Sequence, residues 1–148
     1  MSWKLKTFKQ LNPEELYAII QTRIDVFVVE QNCPYRELDG HDKQAVHLLY
    51  AENGTIIAYA RLLPRETVYP QASIGRVLVH GQHRKKGFAK ALLGKSIEYI
   101  ATEWKEKEIK IQAQAYLRNF YSSFGFKAIS GIYLDDGIPH IDMQLVLK

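Results

Sequence analysis

Cysteine is almost absent from the 148-residue sequence: Cys33 stands alone, so no intramolecular disulfide can form and no thiolate cluster can hold zinc. Nothing in it calls for an oxidising compartment. No apolar run approaches the roughly 20 residues that cross a bilayer, and the opening Met1-Ser2-Trp3-Lys4-Leu5-Lys6 lacks the apolar stretch of a secretory signal. A cytoplasmic protein with no membrane partner is the expectation. Repeats, low-complexity tracts and Ser/Gly linkers are also missing, so residues 1–148 are expected to form one domain. Excess charge is slight, 20 Lys and Arg against 16 Asp and Glu, for a net charge of +4. This favours anionic ligands, but the chain has neither the basic stripe nor the recognition helix that nucleic acid would require.

What the chain does have is a strand, Ile74-Gly75-Arg76-Val77-Leu78-Val79, joined to a helical pattern from Phe88 by the loop His80-Gly81-Gln82-His83-Arg84-Lys85-Lys86-Gly87. Amides at a helix start lack intrahelical partners and sit in the positive end of the dipole, and Gly87 has no side chain to hold an anion away. The loop is a candidate phosphate cradle. Its spacing fits neither a Walker loop nor a Gly-x-Gly-x-x-Gly dinucleotide turn. What remains is Arg84-x-x-Gly87-x-Ala89, which resembles the pyrophosphate signature of the GNAT superfamily of acetyltransferases.

The rest of the pattern agrees. Leu5–Phe8 reads as a strand, and Asn12-Pro13-Glu14-Glu15 opens a helix running to about Val28–Gln31. A polar loop spans Asn32–Lys43, and strands at His47–Glu52 and Thr55–Leu63 flank the hairpin signal Asn53-Gly54. The strand Ala72–Val79 follows, then a long helix with Leu92, Leu93, Ser96, Ile97 and Ile100 on one stripe. Ile109–Ala113 (strand), Leu117–Phe124 (helix), Lys127–Tyr133 (strand) and an alternating last strand after Asp135-Asp136-Gly137 complete the order. This predicts an α/β (α+β) fold, a mixed and mostly antiparallel central sheet with helices on both faces.

That element order is also the family's, so the resemblance covers the chain. Phe120-Tyr121-Ser122-Ser123-Phe124-Gly125-Phe126 resembles its Tyr-x-x-x-Gly-Phe segment, while Arg23–Gln31, Pro34-Tyr35, Asp39-Gly40-x-Asp42 and Asp136–Ile141 together resemble the small bacterial ElaA-type branch. The resemblance implies transfer of an acetyl group from acetyl-coenzyme A, the co-substrate, to the amine of a small molecule or peptide, without a metal. Direct attack in a ternary complex is the expected route. A coenzyme A-binding regulatory or partner-binding module without turnover is the alternative.

Roles follow from chemistry. Tyr121 is expected to protonate the departing thiolate, because an ordinary phenol and an alkyl thiol differ little in proton affinity. The resemblance implies a strand end splayed at Val77, Leu78 and Val79, where a main-chain N–H is expected to stabilise the oxyanion. The pyrophosphate is expected at Arg84, Lys85, Lys86, Gly87, Phe88 and Ala89, mainly on amides. Gln114 stands where many relatives carry a pantetheine-binding asparagine, and Asn119 is a second amide donor nearby. For the general base the chain offers Glu30, Asp39, Asp42, His47 and His140, besides water. His140, of a residue type that titrates near neutrality, is the catalytic candidate. Glu30, Tyr35, Asp39, Asp42 and Arg76 are expected on the acceptor side.

Arg23, Arg61 and Arg76 lie in apolar elements, where an uncompensated guanidinium is costly. They either pair with Glu30, Asp39 or Asp42 or recognise an anionic group of the substrate. Cys33 offers an acyl-enzyme route, against which stands the lack of any basic residue beside it. The identity of the acceptor is left open, as is the choice between monomer and homodimer, since an exposed last strand could pair with a second copy.

Overall fold

A computed structural model describes residues 3–147. Strands β1 (Trp3–Thr7), β2 (Val46–Glu52), β3 (Thr55–Leu63) and β4 (Ser73–Val79) form one antiparallel sheet in that order. Strand β5 (Glu108–Gln114) pairs with β8 (Ile138–Val146), which also pairs with β6 (Lys127–Ala128) and β7 (Tyr133–Asp135). The two sheets meet at one parallel bridge, Ala72 with Ile109, backed by the Lys110 amide donating to the Ala72 carbonyl at 2.9 Å. Beyond that bridge β4 and β5 part. The sheet is therefore mixed and mostly antiparallel, as expected.

Alternation along β2 and β3 divides the core. Val46, Leu48, Ala58, Ala60 and Leu62 face the helix α2 (Phe88–Thr102) and pack with its Leu92, Leu93 and Ile100. Leu49, Ile56 and Tyr59 face the other way, against Ile19 of α1 (Pro13–Arg23) and Val26 just beyond it. Helices thus cover both faces. The start of α1 shows why it begins there: the Asn12 side chain accepts from the Glu15 amide at 2.7 Å, Glu15 answers to the Asn12 amide at 3.0 Å, and Pro13 has no N–H to waste.

Four local expectations are corrected. The first helix does reach Glu30, but α1 proper stops at Arg23 and Ile24–Glu30 is a π-helix. The short helix is a 3-10 turn at Ala115–Leu117 followed by α3 (Arg118–Ser122), not a helix over Leu117–Phe124. The strand expected over Lys127–Tyr133 is broken into β6 and β7, because the chain loops around Asp142 there: Ile129 donates to its carbonyl and Ser130 Oγ accepts from its amide, both at 2.9 Å. Phe8 leaves β1 for a 3-10 turn, Phe8–Gln10. Both hairpin turns, Asn53-Gly54 and Asp136-Gly137, place two successive residues at positive φ, as type I′ turns require.

Candidate active site

Where β4 leaves β5 a cleft of about 780 Å³ opens, lined from both faces of the sheet. From the α2 side come Arg84, Lys85, Gly87, Phe88 and Ala89, together with Leu117, Phe120 and Tyr121. From the α1 side come Val26, Phe27, Glu30, Cys33, Tyr35, Asp39 and Arg61. Arg76, Val77, Leu78 and Val79 form one edge, with Gln112, Gln114 and His140 opposite.

The edge is shaped by a bulge. Register passes from Tyr59 opposite Leu78 to Arg61 opposite Gly75, so Ala60 faces both Arg76 and Val77, and Arg76 takes φ +50°. The His80 amide donates to the Ile57 carbonyl at 2.7 Å, which sets the phase of the ladder. Residues alternate in direction along an antiparallel pair, so the polar groups of Val79 point away from β3 into the cleft. Its carbonyl accepts from Arg84 Nε at 2.9 Å.

Gly87 caps α2 at φ +87°, and a Cβ built there would meet nothing within 4 Å. Neither a side-chain cap nor an acidic residue occupies the first turn of this 15-residue helix, so its leading amides are open to an anion. Gly87→Val forces a branched side chain into a left-handed conformation and fills the space before those amides. It should weaken coenzyme A binding about ten-fold or more in calorimetry, roughly 1.4 kcal/mol, with a fall of several degrees in melting temperature from the left-handed strain.

Tyr121 is buried between Phe120 and Phe126, ring centroids 5.4 and 5.9 Å away. Burial pushes its phenol up to about 12, above the ordinary value near 10 expected from sequence. The proton stays on at any physiological pH. A thiolate in the same apolar surroundings also holds a proton more tightly, which narrows the gap between donor and acceptor.

His140 stands on β8 opposite Gln114, its ring stacked on Tyr133 with centroids 6.4 Å apart. Its Nδ1 lies 2.7 Å from the Ile138 carbonyl, which can only accept, so Nδ1 is the donor and, in the neutral ring, the lone pair falls on Nε2. Gln114 Nε2 donates to Gln31 Oε1 at 3.3 Å. Cys33 Sγ, buried at the cleft wall, donates to the Asp136 carbonyl at 3.5 Å.

The three arginines are answered internally. Arg23 binds Glu37 Oε2 and Asp42 Oδ1, both at 2.6 Å. Arg61 binds Asp39 Oδ2 at 2.8 Å and Asp42 Oδ1 at 3.1 Å, and Arg76 binds Glu37 Oε2 at 2.8 Å. Tyr35 donates its hydroxyl to Glu37 and lies under the Arg76 guanidinium, 5.9 Å from ring centre. Burial raises the carboxyl groups of Asp39 and Asp42, but hydrogen bonds and charge from Arg61 and Arg23 outweigh it and hold both below the usual range. Glu37, the acid between two of the arginines, was not among the expected residues. Tyr35, Glu37 and Asp39 share the period of two by which an extended segment presents one side, and that spacing was the available signal.

Several expected residues lie elsewhere. Asp42 is buried beneath Arg23 and Arg61 and does not reach the cleft wall, while Lys86 and Asn119 are exposed and do not line the cleft. His47 is fully buried, bound to the Tyr59 hydroxyl at 2.6 Å and the Asp42 carbonyl at 2.9 Å, so it cannot serve as a base for a substrate. Burial and the charges of Arg23 and Arg61 lower its proton affinity further. Glu30 pairs with Arg84 at 2.7 Å, not with the buried arginines. Among the described residues no cluster suited to a metal ion occurs, and no helix is long and apolar enough to cross a membrane.

A split sheet, an uncapped helix start and a buried tyrosine on one cleft define a coenzyme A-dependent acyltransferase, and the chain belongs to the GNAT family: the model for the acetyltransferase (GNAT) domain matches residues 6–147. It is similar to the protein ElaA of Escherichia coli, 40% identical over 145 residues that cover 97% of this chain and 95% of ElaA. A UPF0039 protein of Schizosaccharomyces pombe is 41% identical over 144 residues, 96% of this chain and 95% of that protein. Among solved structures, an acyl-CoA N-acyltransferase from Pseudomonas aeruginosa superposes with a TM-score of 0.93 at 37% identity, covering 98% of this chain and 99% of that one. Escherichia coli ElaA superposes with a TM-score of 0.90 at 39% identity, with the same coverage.

Proposed function

We propose that the protein transfers an acetyl group from acetyl-coenzyme A to an amine by direct attack within a ternary complex. The observation that carries this reading is that Gly87 with its open amides, and Tyr121 with its retained proton, line one cleft. The diphosphate binds the amides of Gly87–Ala89, with Lys85 adding charge from the loop and Gln114 facing the pantetheine arm. The Val79 N–H, pointed beforehand into the gap, receives the oxygen that gains charge when the amine attacks the thioester carbonyl. The C–S bond then breaks and the sulfur takes the Tyr121 proton.

His140 Nε2 takes the proton from the attacking amine, directly or through water. Its fixed tautomer supports that role. Tyr35, Asp39 and Arg76 form the acceptor-side floor, and since their charges are balanced within the arginine–carboxylate cluster, they favour no anionic acceptor. Cys33 Sγ donates to the Asp136 carbonyl, which supports direct transfer over an acyl-enzyme. A panel of primary amines, from alkylamines and polyamines to amino acids and N-terminal peptides, is to be screened for free-thiol release from acetyl-coenzyme A. Acetylated product from at least one class is the expected result; tight coenzyme A binding with no turnover on any class would favour the regulatory alternative.

A further inference from the structure

The Glu30–Arg84 ion pair ties together two walls of the cleft. Among the described residues it is the one side-chain bond between the π-helical segment and the loop preceding Gly87. Glu30 is the last residue of that segment, where outward carbonyls give partial negative charge and a carboxylate is disfavoured, and the last turn holds no basic residue. Its compensation comes from across the gap. Arg84 is anchored independently, Nε on the Val79 carbonyl at 2.9 Å, while Nη2 reaches Glu30 at 2.7 Å. Both side chains are near half exposed, 43% and 46%, so solvent screens the pair and its exchange for another partner costs little.

We infer that Glu30 is a displaceable counter-ion: the coenzyme's diphosphate takes Arg84 from it, and the freed carboxylate then holds the ammonium of the incoming acceptor. This rests on the coenzyme site proposed above. An arginine makes stronger, two-pronged bonds to phosphate oxygens than to a half-solvated carboxylate, so the exchange runs toward the diphosphate. Anchored on Val79, Arg84 does not travel. The carboxylate does, and it becomes available only after the coenzyme is in place, which orders the two substrates.

Calorimetry with coenzyme A on the wild type, Glu30→Gln, Arg84→Ala and the double variant tests the exchange. Glu30→Gln should tighten binding about three- to ten-fold and Arg84→Ala should weaken it about ten-fold. Adding Glu30→Gln to Arg84→Ala should change nothing. Pantetheine, which lacks the diphosphate, should bind the wild type and Glu30→Gln alike. Weaker coenzyme binding by Glu30→Gln, or equal tightening in the Arg84→Ala background, overturns the exchange while leaving the coenzyme site standing; no binding of coenzyme A to the wild type removes both. With the best amine of the panel, Glu30→Gln should raise the acceptor KM about ten-fold as the acetyl-coenzyme A KM falls. An unchanged acceptor KM overturns the hand-over. Because both side chains are half exposed, melting curves of the variants should overlay that of the wild type.

Discussion

Tyr121→Phe is expected to lower turnover about 10²- to 10³-fold while leaving the dissociation constant for coenzyme A within about two-fold. The variant removes one oxygen from a ring whose packing against Phe120 and Phe126 is otherwise kept, so a loss confined to turnover identifies proton delivery. Calorimetry and thiol-release kinetics on the same preparation separate the two quantities. Burial sets the accompanying pH profile. A phenol pushed up to about 12 remains a donor across the working range, so turnover should show no alkaline fall from this group below about pH 10. A decline of coenzyme affinity matching that of turnover would assign Tyr121 to binding instead.

Arg23→Ala should be the most damaging single substitution for stability, about 3–5 kcal/mol, because Glu37 and Asp42 lose a buried cation that each meets at 2.6 Å. For a chain of this size that is a fall of roughly 10 °C or more in melting temperature. Without Arg23 the cluster has three carboxylates, Glu37, Asp39 and Asp42, to the two guanidinium groups of Arg61 and Arg76, so adding Glu37→Gln should recover part of the loss by restoring the balance of charge, and urea unfolding of both variants measures the difference. A loss below about 1 kcal/mol for Arg23→Ala would mean that the carboxylates find water or another cation. The same cluster governs acid sensitivity. Asp39 and Asp42 hold their protons less tightly folded than unfolded, so their contribution is complete above about pH 4 and is lost as pH falls below it.

How far the sequence could be read depended on whether the cause was local. Asn53-Gly54 and Asp136-Gly137 carry their turn geometry in their own side chains, and the cap at Asn12 closes within four residues. Gly87 likewise marks its helix start through its own backbone. By contrast, the choice of partners for the three arginines depends on a loop folding back over β3 and β4. Nothing at Arg23 signals that Glu37, 14 residues on, will reach it at 2.6 Å. The break in the strand after Ala128 has its cause at Asp142, on a different strand. Sequence placed Glu30 and Arg84 on different substrates, whereas their meeting across 54 residues is a property of the cleft.

Among the described residues the two sheets share the single backbone bridge Ala72–Ile109, and the cleft beyond it takes its walls from both helical faces. On the proposed reading, donor and acceptor lie against opposite walls, so a coenzyme bound first does not obstruct the amine that follows. On that reading the protein need not store the acyl group on itself between visits. Direct transfer would then have a geometric reason: the proposed oxyanion donor, the Val79 N–H, lies on the edge between those walls.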